Sequence, residues 1–259
     1  MRNLHMPGRS PVFAPNGMAS TSQPLSTQAA LNILQKGGNA LDAAISACAV
    51  QAVVEPASTG IGGDCFCLYS LNNKNKVIAL NGSGRAPKNL TCSWLMEREI
   101  LEIEQQSPHS VTTPTAIDAW IKLNNDYGSI PLADLLEPAI KYANEGFPVS
   151  PIISKLWKNG AQELKNETGF AENFMRNNKT PKAGEIFVNQ NLGKSLKLIA
   201  RTKCKAFYEG ELAEAIERYA IQNNAALKIS DLKQHKNEWC GTISKQLYDF
   251  ELHEIPPNS

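Results

Sequence analysis

The first clear pattern along the chain is helical: Ala29, Ala30, Ile33 and Leu34 recur at the spacing of one helix face, which predicts a helix over residues 25–35. Gly37-Gly38 should stop it, and Asn39 with Asp42 three residues on forms a near capping box for a second helix over 40–54. That second stretch is small and apolar almost all round. Such a helix packs on more than one side, so Ala44 and Cys48 are expected to be fully buried. After the glycine-rich turn Gly60-Ile61-Gly62-Gly63-Asp64 the period changes to two. Residues 65–70 and 77–80 read as strands joined by a polar turn at 72–76.

Helical spacing returns over 115–123, 132–144, 192–200 and 212–221. The Asn- and Lys-rich stretch 159–182 is polar, and its element boundaries are not readable. Near the end, Gln246 to Leu252 alternates like one strand. Helices followed by a hairpin imply an α/β (α+β) layered domain. No repeat or linker divides the chain, so the expectation is one domain. It comprises an extended lead-in over 1–24, helices plus hairpin over 25–90, a mainly helical part over 110–235 and a strand over 246–255.

Composition narrows the class. With 42% hydrophobic and 20% charged residues the chain should fold rather than stay disordered. Twenty-six Lys and Arg against 25 Asp and Glu leave a net charge of +1, so no strong field draws nucleic acid or an acidic membrane. No apolar run approaches the roughly 18 residues of a membrane span. The start, with Arg2 and Arg9 but no apolar run, does not read as a signal peptide. Cys48, Cys65, Cys67, Cys92, Cys204 and Cys240 follow no zinc spacing and are expected to be reduced thiols in a cytoplasmic protein.

Three places could carry chemistry. The glycine cluster at 60–63 has helix before it and strand after it, the reverse of a dinucleotide fingerprint. It is either a tight turn where backbone meets backbone or an anion-facing loop. Asn81-Gly82-Ser83-Gly84-Arg85-Ala86-Pro87 comes off a strand end, where Arg85 could hold a carboxylate, or could be a surface arginine on a glycine hinge. His109 stands near Ser110, Thr112 and Thr113, but no third group orients it, and loop hydrogen bonding is the plainer reading. Cys65 and Cys67 read as core rather than catalytic.

Several blocks together resemble the γ-glutamyltranspeptidase family, in its bacterial acylase-like branch. They are Asn16-Gly17-Met18-Ala19-Ser20, Lys36-Gly37-Gly38-Asn39-Ala40-Leu41-Asp42-Ala43-Ala44, Val54-Glu55-Pro56 through Gly62-Gly63-Asp64, Ser110-Val111-Thr112-Thr113-Pro114, Leu136-Glu137-Pro138-Ala139, Gly146-Phe147-Pro148-Val149, Phe207-Tyr208-Glu209-Gly210, Asp231-Leu232 and Pro256-Pro257-Asn258-Ser259. They run through essentially the whole chain. The resemblance implies an N-terminal nucleophile hydrolase with an αββα sandwich, of which this chain is an incomplete, large-subunit portion. It also implies a γ-glutamyl donor such as glutathione, a small subunit as partner, and no cofactor or metal. In that family a threonine freed by self-cleavage attacks the γ-glutamyl carbonyl, its own amine, with a pKa of about 7.7–8.0, acting as base.

Two departures qualify the implication. The position of the family's carboxylate-binding arginine is held by Ser83, and Arg85 stands two residues later, on the same strand face. No threonine here lies in the family's cleavage context, so no catalytic residue carries over. The expectation is a piece that ends before its nucleophile, inactive alone and prone to self-association. Acylases for other acidic acyl-amides and a non-catalytic scaffold subunit are the competing readings.

Overall fold

The computed structural model describes residues 11–71, 76–165 and 167–257. The first ten residues, most of the expected turn at 72–76 and the final Asn258-Ser259 lie outside the described residues. Residues 11–23 carry no helix or strand before α1, Pro24–Gln35, begins. Gly37, at φ +90°, ends α1 with backbone bonds from Gly37 N to Leu34 O and from Gly38 N to Ile33 O, the paired return bonds of a Schellman motif.

The helix α2, Ala40–Val54, starts on the expected capping box. Asn39 Oδ1 accepts from Leu41 N and Asp42 N, while Asp42 Oδ2 accepts from Asn39 N at 3.0 Å. Asp42 is wholly buried and also accepts from the Ser129 amide and hydroxyl, so the cap ties α2 to a distant loop. Ala44 and Cys48, expected to be buried, are exposed and form a stripe with Ala40. The remaining apolar faces of α2 are covered by α1 and its neighbours. A helix with apolar residues all round gives no sequence signal for which face is left bare.

The strands β1, Cys67–Ser70, and β2, Val77–Asn81, pair antiparallel with Cys67 opposite Leu80. Strand β1 begins two residues later than expected, because Cys65 and Phe66 belong to the approach loop. A short α3, Cys92–Met96, precedes α4, Ala116–Tyr127, and α5, Leu132–Glu145. The two-residue strands β3, Phe147–Pro148, and β4, Ile186–Phe187, pair around the unreadable region, which takes in the end of α6, Pro151–Leu164, and all of α7, Thr168–Phe174. Only Ile153, Trp157 and Ala161 of α6 are buried, one residue per turn, and this thin stripe explains why composition hid the helix. Trp157 meets the Phe187 ring at 4.6 Å between centroids.

Helices α8, Gln190–Thr202, α9, Lys205–Tyr208, α10, Glu211–Gln222, and α11, Ile229–Gln234, complete the helical side. The core runs from α1 to α2 to α5 to α8, through Ile33, Val50, Leu135, Leu136, Leu196 and Ile199. Strand β5, Glu238–Cys240, then joins the far side of β2, giving the order β1-β2-β5.

The single strand expected over 246–255 is instead a hairpin. Strand β6, Ile243–Leu247, pairs with β7, Phe250–Glu254, across a turn at Tyr248 and Asp249, with Tyr248 at φ +55°. The register puts Ile243, Leu247, Phe250 and Leu252 on one face, and each is exposed. No helix among the described residues is long and apolar enough to cross a membrane.

Candidate functional site

Antiparallel pairing brings three loops to one end of the sheet. The start of β1 lies beside the end of β2, and Asn81 of β2 faces Glu238 at the start of β5. The glycine turn before β1, the block after β2 and residues 235–237 before β5 therefore meet there, joined by the segment leading into α4.

Backbone contacts lock these loops. Cys65 N donates to Gly82 O at 3.2 Å, and Thr113 N to Arg85 O at 3.0 Å. Gly63 O accepts from both Thr115 N, at 2.9 Å, and Ala116 N, at 3.0 Å, and the Thr115 hydroxyl donates to Gly82 O. A Cβ at Gly82 would collide with the Cys65 carbonyl, and one at Gly84 with the Thr113 carbonyl. The hinge reading of these glycines is overturned: they are sites of close backbone approach that fix the segment carrying Arg85. At Gly60 and Gly62 a Cβ would meet open space, so close packing is not what these two glycines serve.

A second network stands behind the first. Tyr208 donates its hydroxyl to Pro114 O at 3.1 Å and accepts from Asp118 N at 3.0 Å, and burial holds its phenol well above the ordinary range. Asp118 accepts from Asn237 N at 2.8 Å, and the buried Asn237 amide donates to Thr115 O at 3.0 Å. Asp231 accepts from Lys88 N through one oxygen and Lys228 N through the other, pinning the end of the arginine block to α11.

Between these networks lies a cavity of about 500 Å³. Arg85, Lys88, His235 and Lys236 line it, with Asp231 and Glu238 as its carboxylates. Arg85 is exposed there, and its guanidinium makes no hydrogen bond or ion pair among the described residues. Ser83, half-buried, has its amide on Asn81 Oδ1 at 3.0 Å and is not part of the cavity wall. Of the two candidate residues, then, Arg85 faces the cavity and Ser83 does not. His235, Lys236 and Asn237 escaped sequence reasoning, because only the β2–β5 pairing brings them to Arg85, and Lys88, three residues from Arg85, carried no signal of its own.

A larger cavity, about 740 Å³, lies on the other side of the 111–114 segment, walled by Ile61, Val111, Phe170, Phe207 and Ile216. Its lining contains no cation, so the smaller cavity is the better fit to an anion.

Other candidates are inert. Burial, with neighbouring thiols adding to it, pushes Cys65 up to about 12 and Cys67 up to about 11, far from a reactive thiolate. His109 sits on a 3-10 turn at Pro108–Ser110 and packs its ring edge-on against Trp94, with no hydroxyl aligned to it. Thr113 and Thr115 are buried. No cluster of three or more His, Cys, Asp or Glu side chains among the described residues could hold a metal ion.

Comparison with known proteins returns one family. The profile described as Gamma-glutamyltranspeptidase matches residues 26–259. The glutathione hydrolase-like YwrD proenzyme of Bacillus subtilis is 38% identical over 235 residues, covering 91% of this chain and 45% of that protein. The chain thus spans a little under half the length of that relative. Among solved structures, a cephalosporin acylase from Bacillus halodurans superposes with a TM-score of 0.88 at 36% identity, over 98% of this chain and 50% of that one. The γ-glutamyltranspeptidase of Helicobacter pylori gives a TM-score of 0.91 at 25% identity, over 96% of this chain and 72% of that one.

Proposed function

The chain belongs to the γ-glutamyltranspeptidase family, and from that premise we propose that it forms the carboxylate-recognising part of an enzyme that hydrolyses or transfers γ-glutamyl groups. Its fold is that of the family's N-terminal nucleophile hydrolases, mixed helix and sheet. The observation that carries the reading is Arg85, held by two glycine clamps at the wall of a cation-lined cavity at the sheet end. A guanidinium there meets the α-carboxylate of a donor such as glutathione through charge-assisted hydrogen bonds.

The nucleophile belongs to polypeptide outside these 259 residues, acting as a small-subunit partner. Thr113 and Thr115 are buried, Thr112 is exposed, and none of the three, lying within the chain, has a free α-amine to serve as base. In the complete enzyme that threonine's hydroxyl adds to the γ-carbonyl while its amine takes the proton. The C–N bond then breaks, the amine leaves with the proton, and water or an acceptor amine releases the glutamyl group. The six free thiols support a cytoplasmic site of action.

A second reading keeps the chemistry and changes the substrate to another acidic acyl-amide. Ser83 at the family's arginine position and the 36% identity to a cephalosporin acylase favour it. The test is turnover of a γ-glutamyl anilide by the purified chain, alone and with the nucleophile-bearing portion of a relative added. The expected result is no turnover alone and turnover on addition. Turnover by the isolated chain contradicts the placement of the nucleophile. No turnover with any such portion points to a non-catalytic scaffold.

A further inference from the structure

His235 lines the same cavity as Arg85, and its hydrogen bonding fixes which ring nitrogen carries the proton. The Thr115 carbonyl oxygen can only accept. Asn237 meets that oxygen at 3.0 Å, so the group placed there must be its NH₂. The other end of the same amide, Oδ1, is then the atom 2.8 Å from His235 Nε2. An amide oxygen also only accepts, so Nε2 carries the hydrogen. A flipped Asn237 amide would set its oxygen against the Thr115 carbonyl, two acceptors facing each other with the residue buried away from water. In the neutral ring Nδ1 is therefore left with a lone pair, and it has no hydrogen-bond partner among the described residues.

We propose that His235 Nδ1 accepts a hydrogen bond from the α-ammonium of the donor whose α-carboxylate Arg85 holds, making His235 a specificity residue for amino-acid donors over plain diacids. This rests on the carboxylate-recognition reading of the cavity. The cavity's surroundings favour such an acceptor. Arg85, Lys88 and Lys236 suit a carboxylate but repel an ammonium. Both oxygens of Asp231 already receive backbone N–H groups. Glu238 is exposed and must be ordered to serve, whereas the His235 ring is already held by Asn237. A γ-glutamyl donor offers carboxylate and ammonium on one carbon, whereas a glutaryl donor keeps the carboxylate on that carbon and lacks the ammonium. L-Glutamate and glutarate are therefore the minimal probe pair.

The full chain is titrated with L-glutamate and with glutarate by NMR, and the His235 tautomer is read from long-range proton–nitrogen correlations at a pH where the spectrum shows a neutral ring. The expected results are an Nε2–H tautomer and a preference for L-glutamate of about ten-fold. His235→Ala should bring the two ligands to near-equal affinity, and His235→Gln, whose amide can both donate to Asn237 and accept, should keep part of the preference. An Nδ1–H tautomer, or a preference that survives His235→Ala or is removed only by Glu238→Gln, overturns the proposal. If neither probe binds the unaltered chain, the carboxylate reading of the cavity fails first, an outcome distinct from equal binding of both probes, which sinks the His235 assignment alone.

Discussion

The helical side and the sheet side of the molecule are finished to different degrees. Along α1, α5 and α8, and on the face of α2 that packs against α1 and α5, the apolar positions are sealed: Ile33, Val50, Leu135, Leu136, Leu196 and Ile199 are buried. On the sheet side, Leu68 of β1 and the β6–β7 face of Ile243, Leu247, Phe250 and Leu252 stand open. The bare stripe of α2 belongs to this side too, since Cys48 is near enough for its charge to act on the Cys65 and Cys67 thiols. On the proposed reading the helices carry the stability and the sheet side carries recognition. Substitutions on the two sides should accordingly differ in kind.

The largest effect is expected at Asp42. Replacing it with Ala removes the capping box of α2 and leaves the Asn39 and Ser129 donors without their shared carboxylate. Urea unfolding should show a loss of about 3 kcal/mol or more. A loss below about 1 kcal/mol would mean that the helical side does not depend on this cap. Next comes Gly84→Ala, whose Cβ meets the Thr113 carbonyl. It should cost about 1–3 kcal/mol and displace Arg85, so carboxylate binding should fall along with stability.

The thiols beneath β1 give a pH signature. Cys65 and Cys67 keep their protons up to about 12 and about 11 in the folded chain, against an ordinary value of 9.0. Their contribution is fully present below 9.0. Above it the unfolded chain loses protons that the folded chain retains, so stability declines as pH rises through this window. Unfolding midpoints at about pH 8 and about pH 10.5 should differ, and by less in Cys65→Ser. The smallest effect belongs to the hairpin: Leu252→Thr should change stability by no more than about 0.5 kcal/mol while reducing self-association in sedimentation. A large loss there would show that the open face is already packed in solution.

Much of the helical side was legible from the sequence. Gly37-Gly38 and Asn39 with Asp42 bracket α1 and α2 because capping is local chemistry. Which face of α2 stays bare was not legible, since Ala44 and Cys48 look like their buried neighbours. The turn at Tyr248 was hidden because a tyrosine at positive φ gives no turn signal. At the site, Arg85 could be picked out from its strand-end position. His235 and Asn237 could not, since their roles arise from a pairing about 150 residues along the chain. The glycines around Ser83 and Arg85 were visible but misread, because flexibility and close approach leave the same residue in the sequence.

The central claim is that the cation-lined cavity at the sheet end recognises a carboxylate through Arg85. Its most direct test is the affinity of the purified chain for L-glutamate, measured by titration calorimetry, in the unaltered protein, in Arg85→Ala and in Arg98→Ala as a matched exposed arginine outside the cavity. The expected result is a loss of about ten-fold or more for Arg85→Ala with an unchanged melting temperature, and no change for Arg98→Ala. Equal affinity in all three proteins would contradict it.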